Sequence, residues 1–553
     1  MSVKEGKDGQ VLMHCFAGCE TADMAAALGL SMADLFERRA PVGGGGTRHS
    51  SRPGSTGQLA TLENYVNYVD LPIAFLKGLG LEEISYCGQP AVRMPYLDES
   101  GERVLATRYR VSLTGKPKVK TKKGDKNHLY GLSRLEEARA AGYVWMVEGE
   151  TDAQTLWYHR EPCLGIPGAS GFKPEWVAGL AGIARIYFVV EDEAGEICWR
   201  KLCVIPELRE RLFRVDLRGA KDVSELHKQD PEGFKERVRE AREGARAWLD
   251  IAESQQEERY REAWAACREL AESGDILAEF VAELERYRLV GEDTNAKLLF
   301  LALTSRLLPK IVSVVVKGPS SGGKSFLVKT VMRFFPEAAF CSFTAMSERT
   351  LIYTEESLEH RFVVLYEAAG MGGDLQEYII RSLLSEGRID YETVEKTPDG
   401  MRPRRITKEG PTGFVTTTTR HRLHAENETR YLSLTVKDTP EQTRRVLRAI
   451  ADEPTEEPDP GRWHALQTWL EGAEHGVFVP YAVALAEATG DFAVRLRRDF
   501  SALLSLVKAH ALLHQASRER DAEGRVVAGL EDYARVRELV ADLVAEGVEA
   551  TVP

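Results

Sequence analysis

Gly318-Pro-Ser-Ser-Gly-Gly-Lys-Ser325 follows the apolar run Ile311-Val-Ser-Val-Val-Val316 and precedes Phe326-Leu-Val-Lys-Thr-Val331. Read in order, these are a strand, a glycine-bearing loop and a helix. The loop fits the pattern G-x-x-x-x-G-K-[ST], in which backbone N–H groups close around a phosphate while the following helix points its positive end at it. Gly318 and Gly323 frame the loop, Lys324 is set to reach the β- and γ-phosphates, and Ser325 is set to ligate Mg²⁺. A glycine-rich turn before an ordinary helix is the plain alternative, but every fixed position of the pattern is filled. ATP with Mg²⁺ is the expected cofactor.

Working outward, Arg361-Phe-Val-Val-Leu-Tyr366-Glu367 is a buried strand ending in an acid. It has the form of a Walker B motif, with Glu367 able to orient an attacking water. Tyr366 stands where a Mg²⁺-directing aspartate is usual, so the metal would lean on Ser325 and water. Next, Gly387–Lys396 and Arg402–Lys408 flank Thr397-Pro-Asp-Gly400, the pattern of a β-hairpin with Lys396, Arg402, Arg404 and Arg405 near its tip. The chain returns through Gly413-Phe-Val-Thr-Thr-Thr-Thr419, an apolar strand whose Thr417 and Thr418 are candidates to sense a γ-phosphate. Arg420, Arg422 and Arg430 supply cations nearby, and Arg430, with Arg422 as the alternative, is the candidate arginine finger acting in trans.

The half before the phosphate loop carries different chemistry. Cys15-Phe-Ala-Gly-Cys19 after His14 supplies two thiolates on a tight knuckle, half of a tetrahedral zinc site; a small cysteine-bearing turn is the alternative. Residues 41–60, with Gly43 to Gly46, have the composition of a tether. Short strands are expected at Ala91–Tyr96 and Val104–Val111. Lys116, Lys118, Lys120, Lys122, Lys123 and Lys126 then alternate largely with other residues. On an extended segment alternate lysines share one side and can track a phosphodiester backbone; a solvated surface is the alternative.

Tyr143-Val-Trp-Met-Val147 runs into Glu148-Gly-Glu-Thr-Asp152, and Ile186-Tyr-Phe-Val-Val190 runs into Glu191-Asp-Glu-Ala-Gly195. Buried strands ending in acids, with helices between them, place carboxylates at the carboxyl edge of a parallel sheet. Acids paired there hold Mg²⁺ and organise phosphoryl transfer.

The 553 residues are too many for one core and imply several domains. With 43% hydrophobic and 29% charged residues the chain reads as globular. A formal net charge of −12 argues against a protein coated in DNA-binding charge, so basic grooves have to be local. No apolar run approaches the roughly 20 residues that span a bilayer, and the start lacks an apolar signal core. A cytoplasmic protein without a membrane partner is expected. The eight scattered cysteines do not make a disulfide framework.

Three stretches carry a family resemblance. His14-Cys-Phe-Ala-Gly-Cys19 resembles the end of a primase zinc ribbon, which implies Zn²⁺ bound through Cys15 and Cys19 only where an upstream Cys-x-x-His pair completes the site. Glu148 in an E-G-x-x-D context and Asp192, counted back from Gly195, resemble the acids of the Toprim fold; Val190 takes the place of the first aspartate of its D-x-D pair, with Glu191 as the neighbouring substitute. Gly219-Ala-Lys221-Asp222-Val-Ser-Glu-Leu is also similar to Toprim sequences beyond that pair. Phosphate loop, strand-end acid, hairpin, sensor strand and arginine, in that order, resemble AAA+ helicases of superfamily 3.

The whole resembles the primase-helicases of phages and mobile elements. It implies a multidomain α/β protein: a truncated zinc ribbon at 1–40, a linker at 41–60, a basic primase-type subdomain at 61–140, Toprim at 141–228, a helical linker at 229–309, the AAA+ domain at 310–440 and a helical C-terminal domain at 460–553. Gly524–Gly529 is read as the wing of a winged helix, or as ordinary surface. The implied activity is an ATP-dependent helicase forming a hexameric ring on single-stranded DNA or a forked duplex, with impaired priming. The rivals are a nucleotide-switched AAA+ oligomer with a Toprim nuclease or DNA-clamp role, as in anti-phage defence, and an ATP-binding DNA scaffold without turnover.

Overall fold

The structure is a computed structural model that describes residues 2–5, 11–14, 58–115, 117–168, 172–367, 373–397, 400–419, 430–452, 458–489 and 496–549. Cys15, Cys19, Lys116, Arg420 and Arg422 lie outside the described residues. The chain divides into two compact units, Met1–Ala245 and Arg246–Pro553.

In the first unit, β1 (Ser2–Glu5) and β2 (Val11–His14) pair antiparallel. Helix α1 (Leu62–Val69) starts where the Thr61 hydroxyl accepts the Asn64 amide, and α2 (Ile73–Gly78) follows. An antiparallel sheet comes next, in the order β3 (Glu82–Tyr86), β4 (Gln89–Leu97), β5 (Val104–Arg110) and β6 (Val119–Thr121). The two expected strands are therefore present, each within a residue or two of its anticipated bounds. The lysine run is extended for only a short stretch: β6 has three residues, and Gly124 at φ +96° turns the chain beyond it.

A second sheet carries the acids. It is reached through α3 (Leu135–Ala141), and consists of β7 (Tyr143–Glu148), α4 (Glu150–Tyr158), β8 (Cys163–Ile166), β9 (Arg185–Val189), α5 (Glu193–Cys203), α6 (Pro206–Arg209) and β10 (Leu212–Val215). Helices α7 (Val223–Gln229) and α8 (Phe234–Glu243) complete the unit. The strands run parallel in the order β10-β9-β7-β8. Their continuous apolar runs reflect burial on both faces: Trp145, Val147, Tyr187 and Val189 pack with Leu156 of α4 and Phe234 of α8 in one core.

The second unit opens with β11 (Arg246–Ala247), followed by α9 (Trp248–Ala271), α10 (Ile276–Leu284) and α11 (Asp293–Thr304). Then come β12 (Val314–Lys317), α12 (Lys324–Met332), β13 (Phe340–Phe343), α13 (Thr350–Tyr353), β14 (Arg361–Leu365) and α14 (Asp374–Glu386). A two-stranded ribbon, β15 (Arg388–Thr397) and β16 (Gly400–Glu409), leads into β17 (Thr412–Thr418) and β18 (Leu432–Thr435). Five parallel strands form a sheet in the order β13-β14-β17-β12-β18. The chain continues through α15 (Pro440–Ala451), α16 (Gly461–Gly472), β19 (Val477–Phe478), α17 (Ala482–Ala488), α18 (Leu496–Leu513), β20 (Val526–Val527) and α19 (Leu530–Glu549).

Helix α11 is buried against the sheet: Phe300 and Leu303 share a core with Val314 and Val316 of β12, and with Trp463 of α16 and Leu512 of α18. The stretch read as a wing closes a turn in which Asp521 accepts the Arg525 amide, and β20 pairs parallel with β19.

Candidate functional site

The phosphate loop leaves β12 at Lys317 and enters α12 at Lys324. Gly318 has φ +152°, and a Cβ there would lie 2.4 Å from Val436 Cγ2, so only glycine fits the turn. Its N–H donates to the Thr418 carbonyl at 3.3 Å, tying the loop to the end of the neighbouring strand. Lys324 is 8% exposed and donates from Nζ to the Pro319 carbonyl at 2.6 Å. A polyphosphate would take over this ammonium, because a charged acceptor outbids a neutral carbonyl. Ser325 is half-buried at the first turn of α12.

Register brings the other candidates to the same edge. Lys317 of β12 is opposite Thr418 of β17, and Leu365 of β14 is opposite Thr416. Glu367 follows β14 in the left-handed region at φ +75°, and its N–H donates to Thr417 Oγ1 at 3.0 Å. Thr417 and Thr418 are both buried. Tyr366 turns away along α12: its hydroxyl reaches Met332 Sδ at 3.7 Å, and the Lys329 ammonium lies 5.0 Å from its ring centre. A groove of about 990 Å³ opens beside Tyr366, lined also by Tyr287, Met332 and Phe343, but not by Lys324, Ser325 or Glu367. Arg430 sits apart from its own phosphate loop. It precedes β18, where Leu432 pairs with Val314 at the opposite end of β12, and its Nε donates to Ser385 Oγ at 3.0 Å.

The ribbon between β14 and β17 is anchored at its base and exposed farther along. Ile389 is buried in a core with Leu383 of α14, and Tyr391 and Ile406 pack against it, whereas Val394 and Met401 are exposed. Lys396, Arg402, Arg404 and Arg405 are all exposed. Two of them already have acidic neighbours on the ribbon: Arg404 pairs with Glu395 at 3.3 Å and Arg405 with Asp390 at 3.1 Å.

In the first unit, Glu148 ends β7 and Asp192 caps α5, accepting the Ala194 and Gly195 amides at 2.8 and 3.1 Å. Gly195 packs against the same carboxylate: a Cβ there would lie 2.9 Å from Glu148 Oε1, and the carboxylate would have to shift to make room. Burial, then Asp192 and Asp152, pushes the Glu148 carboxyl up to about 7. Glu191 is driven up by burial and then by Asp152, Asp222 and Glu148. Asp152 is also raised, by burial and Asp222, although it accepts the Ser224 amide and hydroxyl at 2.8 and 2.9 Å.

Asp152 and Asp222 are members of this cluster that the sequence reading left without a role. Asp152 lies one helical turn beyond Glu148, a spacing visible in Glu148-Gly-Glu-Thr-Asp152. Asp222 arrives from 70 residues downstream as the cap of α7, where it accepts the Glu225 amide. Glu148 Oε1 and Glu191 Oε1 are buried without hydrogen-bond partners. Crowded carboxylates with two such oxygens fit a hard divalent cation such as Mg²⁺. Among the described residues no three His, Cys, Asp or Glu side chains converge as a ligand set. The lysines 118, 120, 122 and 123 are exposed.

A parallel sheet with a phosphate loop on its second strand from the edge defines a P-loop domain. Residues 263–456 match the family described as the MTBMA_p00010 P-loop domain. The chain belongs to the family of the Gene 57 protein of Mycobacterium phage D29, to which it is 36% identical over 106 residues, 18% of this chain and 68% of that protein. Two solved structures are also similar. One is the bacteriophage T7 lagging-strand DNA polymerase interacting with primase domains of two gp4 subunits, at 20% identity and TM-score 0.28, covering 35% of this chain and 95% of that one. The other is the primase fragment of the bacteriophage T7 primase-helicase protein, at 18% identity and TM-score 0.27, covering 42% and 90%. Among the described residues no helix is long and apolar enough to cross a membrane.

Proposed function

We propose that this chain is an ATP-driven helicase that acts on single-stranded DNA or a forked duplex as a homo-oligomeric ring, with a Toprim-type primase module attached. The observation that carries the reading is the strand order β13-β14-β17-β12-β18, with phosphate loop, Glu367 and Thr417 at one edge and an exposed basic ribbon leading into the central strand. Mg²⁺ would be held by Ser325 with water, since Tyr366 offers no carboxylate, and would neutralise charge on the β- and γ-phosphates. Glu367 orients the attacking water. Arg430, remote from its own loop, acts on the nucleotide of a neighbouring subunit.

In the first unit Glu148 and Asp192, backed by Glu191, would hold Mg²⁺, which supplies charge neutralisation for nucleotidyl transfer. Cys15 and Cys19 would supply two thiolates to a Zn²⁺ site.

ATP hydrolysis and unwinding of a forked duplex, compared between wild type and Lys324→Ala, test the motor. Wild type should hydrolyse ATP and unwind; the folded variant should do neither. Normal turnover by folded Lys324→Ala removes the phosphate loop from consideration. A second reading, an ATP-bound scaffold or switch without productive turnover, is favoured by one observation: the Tyr366 hydroxyl is committed to Met332, away from Ser325. ATP-dependent assembly on DNA without unwinding would select it.

A further inference from the structure

The first unit has a second feature suited to a nucleic acid, on the outer face of the β3-β4-β5-β6 sheet. Residues directly opposite one another share a face. Glu82, Arg93, Tyr109 and Lys120 therefore form one row across all four strands. The opposite face is committed to the interior, since Val92 and Met94 pack with α1 and α2, and Tyr96 and Ala106 with the core around β7. On the outer face β4 carries Gln89 opposite Tyr86 and the small Ala91 before Arg93, and across Ala91 the rings of Tyr86 and Tyr109 meet with centres 4.8 Å apart and planes 33° apart. Both rings are half-buried, neither sealed in the core nor stripped of support. The Lys120 ammonium lies 5.8 Å from the Tyr86 ring centre. Lys118 and Lys122, two residues to either side of it, are exposed as well, while the one acid of the row, Glu82, is paired with Arg93.

A supported aromatic pair with lysines spaced along its border matches the two components of a single strand: planar bases and a phosphate chain. We propose that this face, with Tyr86 and Tyr109 as the stacking platform and Lys118, Lys120 and Lys122 as the phosphate track, binds single-stranded DNA. A duplex does not fit this chemistry, because its bases are already stacked on one another. An acidic peptide would satisfy the lysines but leave the ring faces without partners. The proposal rests on the reading of this unit as one that handles a single-stranded template, and adds to it the residues that contact bases.

The test uses the full chain and a fluorescein-labelled oligothymidylate of about 12 nucleotides, followed by anisotropy across a salt series, together with photocrosslinking of the same oligonucleotide carrying 5-bromodeoxyuridine. Crosslinks on wild type should map to peptides containing Tyr86 or Tyr109. Tyr109→Ala should weaken binding by about tenfold with an unchanged salt slope, since a stacking contact releases no counterions. Tyr109→Phe should bind like wild type. Lys118→Ala with Lys120→Ala should instead lower the slope. Absence of crosslinks at both tyrosines, or undiminished binding by a folded Tyr86→Ala/Tyr109→Ala variant, overturns the platform while leaving the motor reading intact if a variant with Lys396, Arg402, Arg404 and Arg405 all changed to alanine still loses affinity. Equal competition by poly-glutamate reduces the face to a charge patch and also overturns it. Failure of wild type to bind the oligonucleotide at all removes both readings.

Discussion

Replacing Thr417 with valine removes one hydroxyl and almost no volume. That hydroxyl accepts the Glu367 N–H at 3.0 Å from a side chain that is 3% exposed. Glu367 is exposed and the bond is only part-buried, so losing it costs about 1 kcal/mol, the net worth of an ordinary hydrogen bond. Glu367 itself holds φ +75°, a conformation that costs a non-glycine residue roughly 1–2 kcal/mol. The two magnitudes are similar, so the hydrogen bond is about what keeps the left-handed turn in place. Without it the turn relaxes, and the fraction of molecules with Glu367 correctly aimed falls by about fivefold. Thr417→Val should therefore lower kcat for ATP by about that factor while ATP affinity, set mainly by the loop and Lys324, changes about threefold or less. Thr417→Ser restores the acceptor and should recover most of kcat. Steady-state hydrolysis alongside equilibrium binding of a fluorescent ATP analogue separates the two quantities. A valine variant with kcat within about twofold of wild type would refute the coupling of Thr417 to Glu367.

Three further outcomes follow from other parts of the chain. Changing Lys396, Arg402, Arg404 and Arg405 together to alanine should weaken single-strand binding and lower its salt slope by less than the roughly 2.8 given by four full phosphate contacts, because Arg404 and Arg405 are shared with Glu395 and Asp390. Mg²⁺ should raise the melting temperature of the first unit by relieving its crowded carboxylates; Glu148→Gln should melt higher without Mg²⁺ and gain less from it, as read by calorimetry, and an identical Mg²⁺ response in both proteins would remove Glu148 from the site. His514, 2% exposed, is held down to about 4 by burial and then by His510 and Arg518. Below about 6.5 the unfolded chain takes a proton that the folded one refuses until about 4, so the second unit should lose stability as pH falls through that window, by about 1.4 kcal/mol per pH unit, and His514→Phe should flatten the loss.

The phosphate loop was legible because its chemistry is local: eight consecutive residues fix a turn, a cation and a helix start. The ribbon was legible for the same reason, as two runs around Pro-Asp-Gly. Strand order was not, since β17 slots between β12 and β14 through pairings such as Val314 with Val415 and Arg361 with Thr412, far apart in the chain, and no periodicity encodes that choice. The acidic cluster divides along the same line. Glu148 and Asp192 announce themselves at strand ends, whereas Asp222 joins them only because α7 starts where it does. Likewise Tyr86 and Tyr109 read as unremarkable strand residues until β4 lies between them. Lys116–Lys126 looked like one extended track. The strand lasts from Val119 to Thr121, so Lys118, Lys120 and Lys122 share a side, and Lys123 follows the turn.

The ribbon and the central strand are one piece of chain: β16 ends at Glu409 and β17 begins at Thr412. The far end of β17 holds the phosphate loop through the Thr418 carbonyl and Glu367 through Thr417. Between them, the Thr412 hydroxyl on the Leu358 carbonyl and the His360 amide on the Pro411 carbonyl form a bearing. At about 3.3 Å per residue, the strand is a short arm on the nucleotide side and the ribbon a longer one on the solvent side. In the proposed motor, a tilt that moves Thr418 by a fraction of an ångström would sweep the ribbon through a larger arc, so a stroke on DNA would be geared up from the event at the γ-phosphate, and lengthening the ribbon by two residues on each side should lengthen the step rather than speed the cycle.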